Sequence, residues 1–342
     1  MKSKRISISA ICLSLVTVLI LVLTGCNPYK NTGVTKTGFY LDTVISVTLY
    51  EKDSESLLEG CMELTKHYED LLSDTIETSD ISRINAFPEE SVVVDPDTAE
   101  LLKIANEYKE KTDGAFDPCI GGLTKLWDFH EDSDKTIPDE NKISSALSDM
   151  KDTYYEVYEE NGEYHVTLHG NGKIDLGGIA KGYIADKIRE YLNDNFVTEG
   201  VINLGGNVLT VGPKDGNKGK YKIGLQKPFT ETGETIGYVS VNDSSVVTSG
   251  IYQRYFEKEG KLYHHILNTE TGYPVENDLN SVTIISEDST EGDALSTYVF
   301  TLGLDEGLSF VEDMPYTEAI FIDKDDNIYF TSGADDLFTK EN

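Results

Sequence analysis

DLGGIAKGYIAD, residues 175–186, sets an acid, a glycine pair and a lysine where an extended segment gives way to a helix. That helix is expected to start after Gly178 and to run to about Asn193. Glycines beside a lysine at such a junction point to an anion, because the helix N-terminus favours negative charge and its backbone N–H groups face the ligand. The stretch is not the familiar phosphate loop: the glycine–lysine order is reversed, and no serine or threonine follows the lysine. Which anion Lys181 meets is the question on which the functional reading turns.

On either side of this junction strands and helices are mixed. Helices are expected near 54–73, 97–111 and 292–303, the second ending before Gly114. TGFYLDTVISVTLY (37–50) alternates as a strand, and Tyr154–Tyr158 with Tyr164–Leu168 reads as a hairpin about EENGE. Short apolar strands are expected around 200–204, 207–212, 220–225, 237–242, 263–267, 280–285, 318–322 and 327–331. There is no internal repeat and no strict βαβ alternation, so the class expected is α+β rather than a doubly wound sheet.

The chain has 342 residues, enough for one large or two modest domains, and its 39% hydrophobic and 10% aromatic content fits a folded protein. A formal net charge of −32 repels nucleic acid and anionic headgroups. It would repel an anionic ligand too, unless the site carries a metal or local positive charge. Lys2, Lys4 and Arg5 precede an apolar run from Ile6 to Leu23, the form of an export signal. The run is also about long enough to span a bilayer, which keeps an uncleaved anchor as the alternative. Its ending, Leu23-Thr24-Gly25-Cys26, resembles a bacterial lipobox, in which the cysteine is lipidated and becomes the new N-terminus. Cys12 falls within the signal. Cys61 lies on the apolar stripe of an expected helix and reads as a buried, inert thiol, and with Cys119 it makes neither a disulfide framework nor a zinc pattern.

Six stretches carry chemistry-bearing residues: SDISRIN (79–85), TDGAFDPCIGGLTKLWDF (112–129), DLGGIAKGYIAD, VINLGGNVL (201–209), YHHILNTETGYP (263–274) and DALST (293–297). Asp293 and Thr297, four apart, share one helix face and offer hard oxygen donors suited to Mg2+ or Ca2+ rather than zinc. The plain alternative is a solvated aspartate favouring a helix N-terminus. One carboxylate and one hydroxyl would need substrate phosphates and water to complete a metal site, a habit of Mg2+. His264 and His265 are adjacent in an expected strand, so only one faces a site there, where it would serve as a general base. Trp127, the only tryptophan, reads as core.

Taken together and in this order, the six motifs resemble those of the ApbE-type flavin transferases, which move FMN from FAD onto a threonine of a target protein. The resemblance runs from about Gly38 to near residue 335. It implies a T-fold-like α+β architecture with FAD between a larger core and a smaller lobe. It also implies a Mg2+ site at Asp293, Thr297 and the Gly178 carbonyl, and FAD contacts at Asp175, Lys181 and the Ala115-Phe116-Asp117 turn. His265, followed by Ile266 at the flavin, falls where the family keeps its base, and Lys181 then faces the FAD pyrophosphate or ribityl arm. Two departures stand out. Leu41-Asp42-Thr43 replaces a common Met-Gly-Thr near the expected adenine side, and Thr75 stands where a flavin-stacking tyrosine is frequent. Cys119 is not read as a nucleophile, since the acceptor hydroxyl has that role.

The expected organisation is a lipoprotein signal at 1–25, a tether at 26–36 and a catalytic domain at 37–340. Cys26 would hold the enzyme by a lipid on the extracytoplasmic face of the cell membrane. The expected activity is Mg2+-dependent transfer of FMN from FAD to a threonine-bearing protein of a membrane redox complex or extracytoplasmic flavoprotein. An FAD pyrophosphatase and a non-catalytic flavin- or solute-binding lipoprotein are the alternatives.

Overall fold

A computed structural model describes residues 33–341 except 131–132 and 232. The signal segment, Cys26 and most of the expected tether lie outside the described residues. The first described strand, β1 (Val34–Tyr40), begins within the stretch read as tether and pairs antiparallel with β2 (Thr43–Leu49). The single strand expected over 37–50 is therefore a hairpin. Leu41 (φ 53°) and Asp42 (φ 55°) both take the left-handed conformation that a two-residue hairpin turn demands. No glycine or asparagine marks this turn. It is held from outside, by Glu69 Oε1 accepting the Leu41 N–H at 2.7 Å.

Five helices follow among the described residues before the middle of the chain. In α1 (Glu55–Leu72) the buried Leu58, Cys61, Met62, Thr65, Tyr68 and Leu72 repeat at helical spacing. The short α2 (Asp80–Ala86) is capped by Ser79, whose Oγ accepts the Ser82 N–H. Next come β3 (Ser91–Val94) and α3 (Pro96–Lys111), whose cap is Asp95 and whose first residue is proline. Then α4 (Gly121–Trp127) and α5 (Glu140–Lys151) lead to β4 (Tyr154–Glu160) and β5 (Glu163–His169). These strands form a small sheet in the order β3-β5-β4. The core reading of Trp127 holds: it is 1% exposed, stacks on Phe129 and Tyr263, and donates to the Gly272 carbonyl at 2.8 Å.

The second half begins with α6 (Ala180–Asp194), the helix expected after Gly178. Then come β6 (Gly200–Leu204), β7 (Asn207–Val211), β8 (Tyr221–Gln226), β9 (Thr235–Val241) and β10 (Ser245–Gly250). They are followed by β11 (Tyr255–Lys258), β12 (Lys261–His264) and β13 (Leu279–Ser286). Last are α7 (Ser289–Glu312), broken at Gly303 (φ 76°), and β14 (Glu318–Asp323), β15 (Ile328–Phe330) and β16 (Phe338–Lys340). An eight-stranded antiparallel sheet runs β1-β2-β6-β7-β10-β13-β14-β15, confirming the α+β class. One face of β10, β13 and β14 presents Val246, Ile285, Ile320 and Ile322 to the small sheet β16-β9-β8. Ile284 and Phe321 join the cluster that includes Val299 and Phe300 of α7. Covered on both faces, β7 and β13 are buried throughout. No helix among the described residues is long and apolar enough to cross a membrane.

The helix α6 lies close on α7. A Cβ at Gly182 would lie 2.2 Å from the Ser289 carbonyl oxygen and 2.8 Å from the Asp293 Cβ, so only glycine fits. Gly182→Ala is expected to destabilise the fold by about 1–3 kcal/mol through overpacking. Thermal melts of the two proteins measure it, and an unchanged midpoint would mean the helices part without cost.

Candidate active site

Asn85, the last residue of the SDISRIN motif, docks against the strand-like segment ahead of DLGG. Its Nδ2 donates to the Ile174 carbonyl at 2.8 Å and its Oδ1 accepts the Ile174 N–H at 2.7 Å. Asp175 is fixed next to it: Oδ1 accepts the Gly177 N–H at 2.8 Å and Oδ2 accepts the Thr124 hydroxyl at 2.7 Å. Asp80 in the same motif is scaffold, buried and accepting from the Asp95 N–H and the Thr98 hydroxyl at 2.8 Å each.

Across the junction Lys181 reaches back. Its Nζ donates to the Gly177 carbonyl at 3.0 Å and lies 3.6 Å from Asp293 Oδ2. Asp293, 4% exposed, is not the solvated residue of the plain alternative. Its Oδ2 accepts the Gly182 N–H at 2.9 Å, so the carboxylate of α7 caps the first turn of α6, whose own Ile179 supplies no cap. Ser249 Oγ lies 2.8 Å from Ser296 Oγ and 3.3 Å from Thr297 Oγ1.

The donors fit a hard cation. Asp293 Oδ1 and the Gly178 carbonyl take no hydrogen bond among the described residues, and Thr297 adds a hydroxyl one turn away. Lys181 already sits against the carboxylate as a positive charge. The described residues hold no cluster of three or more His, Cys, Asp or Glu, so any metal here would draw further ligands from phosphate and water.

The two histidines part company at the end of β12. The strand stops at His264, so His265 lies beyond it rather than within the strand expected over 263–267. His264 is buried and fully engaged: Nε2 donates to the Val275 carbonyl at 2.9 Å, and Nδ1 accepts the Ile266 N–H at 3.3 Å. His265 N–H donates to the Arg254 carbonyl at 3.1 Å, while its Nδ1 is sealed from solvent and has no partner among the described residues. Burial pushes the His265 imidazole down to about 3, and the charges of His264, Arg254 and Lys181 add to the effect. It is therefore neutral at physiological pH, a proton acceptor beside Lys181.

The other expected contacts divide. The Phe116 ring packs on Gly178, while the Ala115 and Phe116 carbonyls take no hydrogen bond among the described residues. The Asp117 side chain is spent internally, on Lys109 Nζ at 2.9 Å and the Cys119 N–H at 2.9 Å. Ile266 is buried, 3% exposed, with its N–H donated to His264 Nδ1 and its carbonyl accepting the Val275 N–H. Thr75 sits in an exposed turn with Ser73, whose next neighbour Asp74 is raised by burial and then by the Asp175 charge. Leu41 is half-buried at its turn, and Asp42 approaches His130 at 3.8 Å. Cys119 and Cys61 are buried thiols, each pushed up to about 12 by burial, which excludes a nucleophilic cysteine at either.

Residues 41–321 match the model of the ApbE family. The chain belongs to the ApbE family. A FAD:protein FMN transferase of Klebsiella pneumoniae (strain 342) is 40% identical over 292 residues, covering 84% of this chain and 88% of the relative. One of Treponema pallidum (strain Nichols) is 33% identical over 312 residues, covering 86% of each. Among solved structures, the ApbE protein of Thermotoga maritima superposes with a TM-score of 0.80 at 32% identity, over 91% of this chain and all (100%) of its own. At 24% identity, the apo flavinyl transferase ApbE of Pseudomonas stutzeri shows the same fold with a TM-score of 0.76, over 91% of this chain and 98% of its own.

Within this ApbE site, four contributors went unremarked in the sequence: Asn85 as a clamp, Thr124 on Asp175, Ser249 beside Thr297, and Arg254 beneath His265. The first three act across 48 to 89 positions of chain and Arg254 acts through its backbone, so none stands at a spacing that marks a site. The NLGG glycines, by contrast, build the β6–β7 turn, Gly205 (φ 64°) and Gly206 (φ 97°) being left-handed.

His264 has a pH consequence. Burial lowers it from 6.5 to about 4, so the unfolded chain takes up a proton that the folded chain refuses. Its contribution is fully present above about pH 6.5 and is lost as pH falls from there toward 4. His265 works in the same direction. Thermal melts between these limits should show a shallower acid decline for His264→Gln than for the wild type. Equal slopes would deny the buried neutral imidazole.

Proposed function

We propose that this ApbE protein is a Mg2+-dependent FAD:protein FMN transferase whose acceptor group is a threonine hydroxyl. The observation that carries the reading is the meeting of Lys181, Asp293 and Thr297 at the N-terminus of α6, with the neutral His265 close enough to feel the Lys181 charge. An ammonium group and a helix N-terminus at one point suit a pyrophosphate. Asp175, Lys181 and the open carbonyls of Ala115 and Phe116 are the expected holds on FAD.

His265 accepts the proton of the threonine hydroxyl as that oxygen bonds to the FMN phosphorus. The bond from this phosphorus to the AMP oxygen breaks, and AMP leaves. The negative pyrophosphate beside His265 raises its proton affinity, so the base strengthens where its substrate is bound. Held by Asp293, Thr297 and the Gly178 carbonyl, Mg2+ would act as a Lewis acid drawing charge from the pyrophosphate. Lys181, held between the Gly177 carbonyl and Asp293, is the cation that meets the phosphate.

AMP release from FAD, measured with and without a threonine-bearing acceptor, tests the activity. Release that needs the acceptor supports transfer, and release without it means a pyrophosphatase. His265→Ala should lower transfer by roughly 10²- to 10⁴-fold. Asp293→Asn, which keeps the shape of the cap better than alanine, should weaken Mg2+ binding read by calorimetry without FAD. Wild-type rates in the first variant or unchanged Mg2+ affinity in the second would remove that residue from its role.

We also propose that Cys26 carries a lipid and holds the enzyme at the extracytoplasmic face of the cell membrane. The ten residues from Asn27 to Lys36 would extend at most ~35 Å. Cys26→Ala should move the protein to the soluble fraction with its activity on a soluble acceptor intact. Retention of this variant in membranes would indicate an uncleaved anchor instead.

A further inference from the structure

Between β10 and β11 the chain passes through Ile251, Tyr252, Gln253 and Arg254. This connection is rooted in the catalytic centre at both ends. Ser249 at the close of β10 touches the Thr297 hydroxyl, and the Arg254 carbonyl accepts the His265 N–H. Its outer side carries an aromatic corner. The Phe229 ring meets Tyr252 edge-on at 6.0 Å and Tyr255 edge-on at 5.4 Å between centroids. Phe229 and Tyr255 are 46% and 39% exposed, although both rings are apolar enough to favour burial.

Phe229 is also strained. Its φ is 57°, a left-handed conformation that is unfavourable for a bulky L-residue. Burial of the half-exposed ring is poor compensation. The loop that thrusts it outward is tied down locally: Thr230 Oγ1 donates to the Lys227 carbonyl at 2.9 Å, and Gln226 Nε2 donates to the Thr230 carbonyl at 3.2 Å. Arg254 directly precedes Tyr255 and is exposed, and its guanidinium has no ion pair or hydrogen bond among the described residues. That is unusual in a chain with 61 acidic residues against 29 basic ones. Exposed aromatics with an adjacent arginine are the composition of an interaction hot spot.

We infer that Phe229, Tyr252, Tyr255 and Arg254 form the docking platform for the acceptor protein, which presents its hydroxyl on an acidic segment. This rests on the transferase reading and names the partner's chemistry. The aromatic corner seats apolar side chains of the segment, and Arg254 pairs with a carboxylate near the reacting hydroxyl. The negative surface elsewhere repels an acidic segment, so the register is set at Arg254, the cation next to His265.

Steady-state transfer to an acceptor fragment tests this, alongside FAD binding followed by flavin fluorescence. Phe229→Ala with Tyr255→Ala should raise the acceptor KM roughly tenfold or more. FAD affinity and the melting midpoint should stay near wild type, and Tyr255→Ala alone should show a smaller change of the same kind. Arg254→Gln should raise the acceptor KM and flatten its salt dependence. Neutralising the acceptor's acids should harm the wild-type enzyme but add little to Arg254→Gln. Unchanged acceptor KM in these variants overturns the platform, as does a parallel loss of FAD affinity, which would make the corner a flavin seat. Failure of the transferase reading looks different: the wild-type enzyme would then place no FMN on any acceptor.

Discussion

One hydrogen bond organises this site, the Gly182 N–H donated to the buried Asp293 carboxylate. The first turn of any helix leaves N–H groups without partners, and here the partner comes from a different helix. Because Gly182 has no side chain, α6 comes close enough to α7 for that bond to form. Its formation fixes three things together. The carboxylate is held with one oxygen to spare, Lys181 is carried to within reach of it, and the start of α6 is turned toward the DLGG segment. A substitution that separates the helices therefore acts on charge placement as much as on packing.

The electrostatic arrangement follows from a shortage of cations. A chain with net charge −32 must bind a dinucleotide without repelling it. The structure concentrates positive character where α6 begins, through Lys181 and the helix N-terminus, and places Arg254 and two histidines nearby. The histidines pay for this in basicity, since burial and neighbouring positive charge hold both neutral. Neutrality is what the proposed base requires before reaction, and an anionic substrate would restore its affinity for a proton.

The recognisable motifs have two kinds of physical duty. Lys181, Asp293, Thr297 and His265 are the residues of the proposed site. Asp80, Asn85, Asp117 and the Gly205–Gly206 pair instead hold backbone segments in position, through buried hydrogen bonds or left-handed turns. Asn85 is the clearest case, since its amide reads both sides of the Ile174 peptide as a neighbouring strand would. A residue of this kind is as constrained as a ligand while touching none.

Much of the architecture was legible in the chain itself. The helices at 55–72, 96–111 and 180–194 follow from apolar spacing and caps, and the alternating hairpin at 154–169 from its turn. The ordered motifs identified the family and singled out Lys181, Asp293, Thr297 and His265. These are local signals, or the sum of several. What the tertiary structure decided depends on partners distant in sequence. The Leu41–Asp42 turn has no glycine and exists because Glu69 holds it, so alternation alone read straight through it. β10 is buried on both faces and therefore shows no alternation to find. Asp293, read as a metal donor with an exposed N-terminal acid as the alternative, is the buried cap of another helix, because the packing of α6 on α7 supplies the N–H. The Ile266 backbone is held by His264, a contact that spacing along the chain does not announce. Spacing along a chain tells which side chains share a face, but which face meets which is settled only by packing.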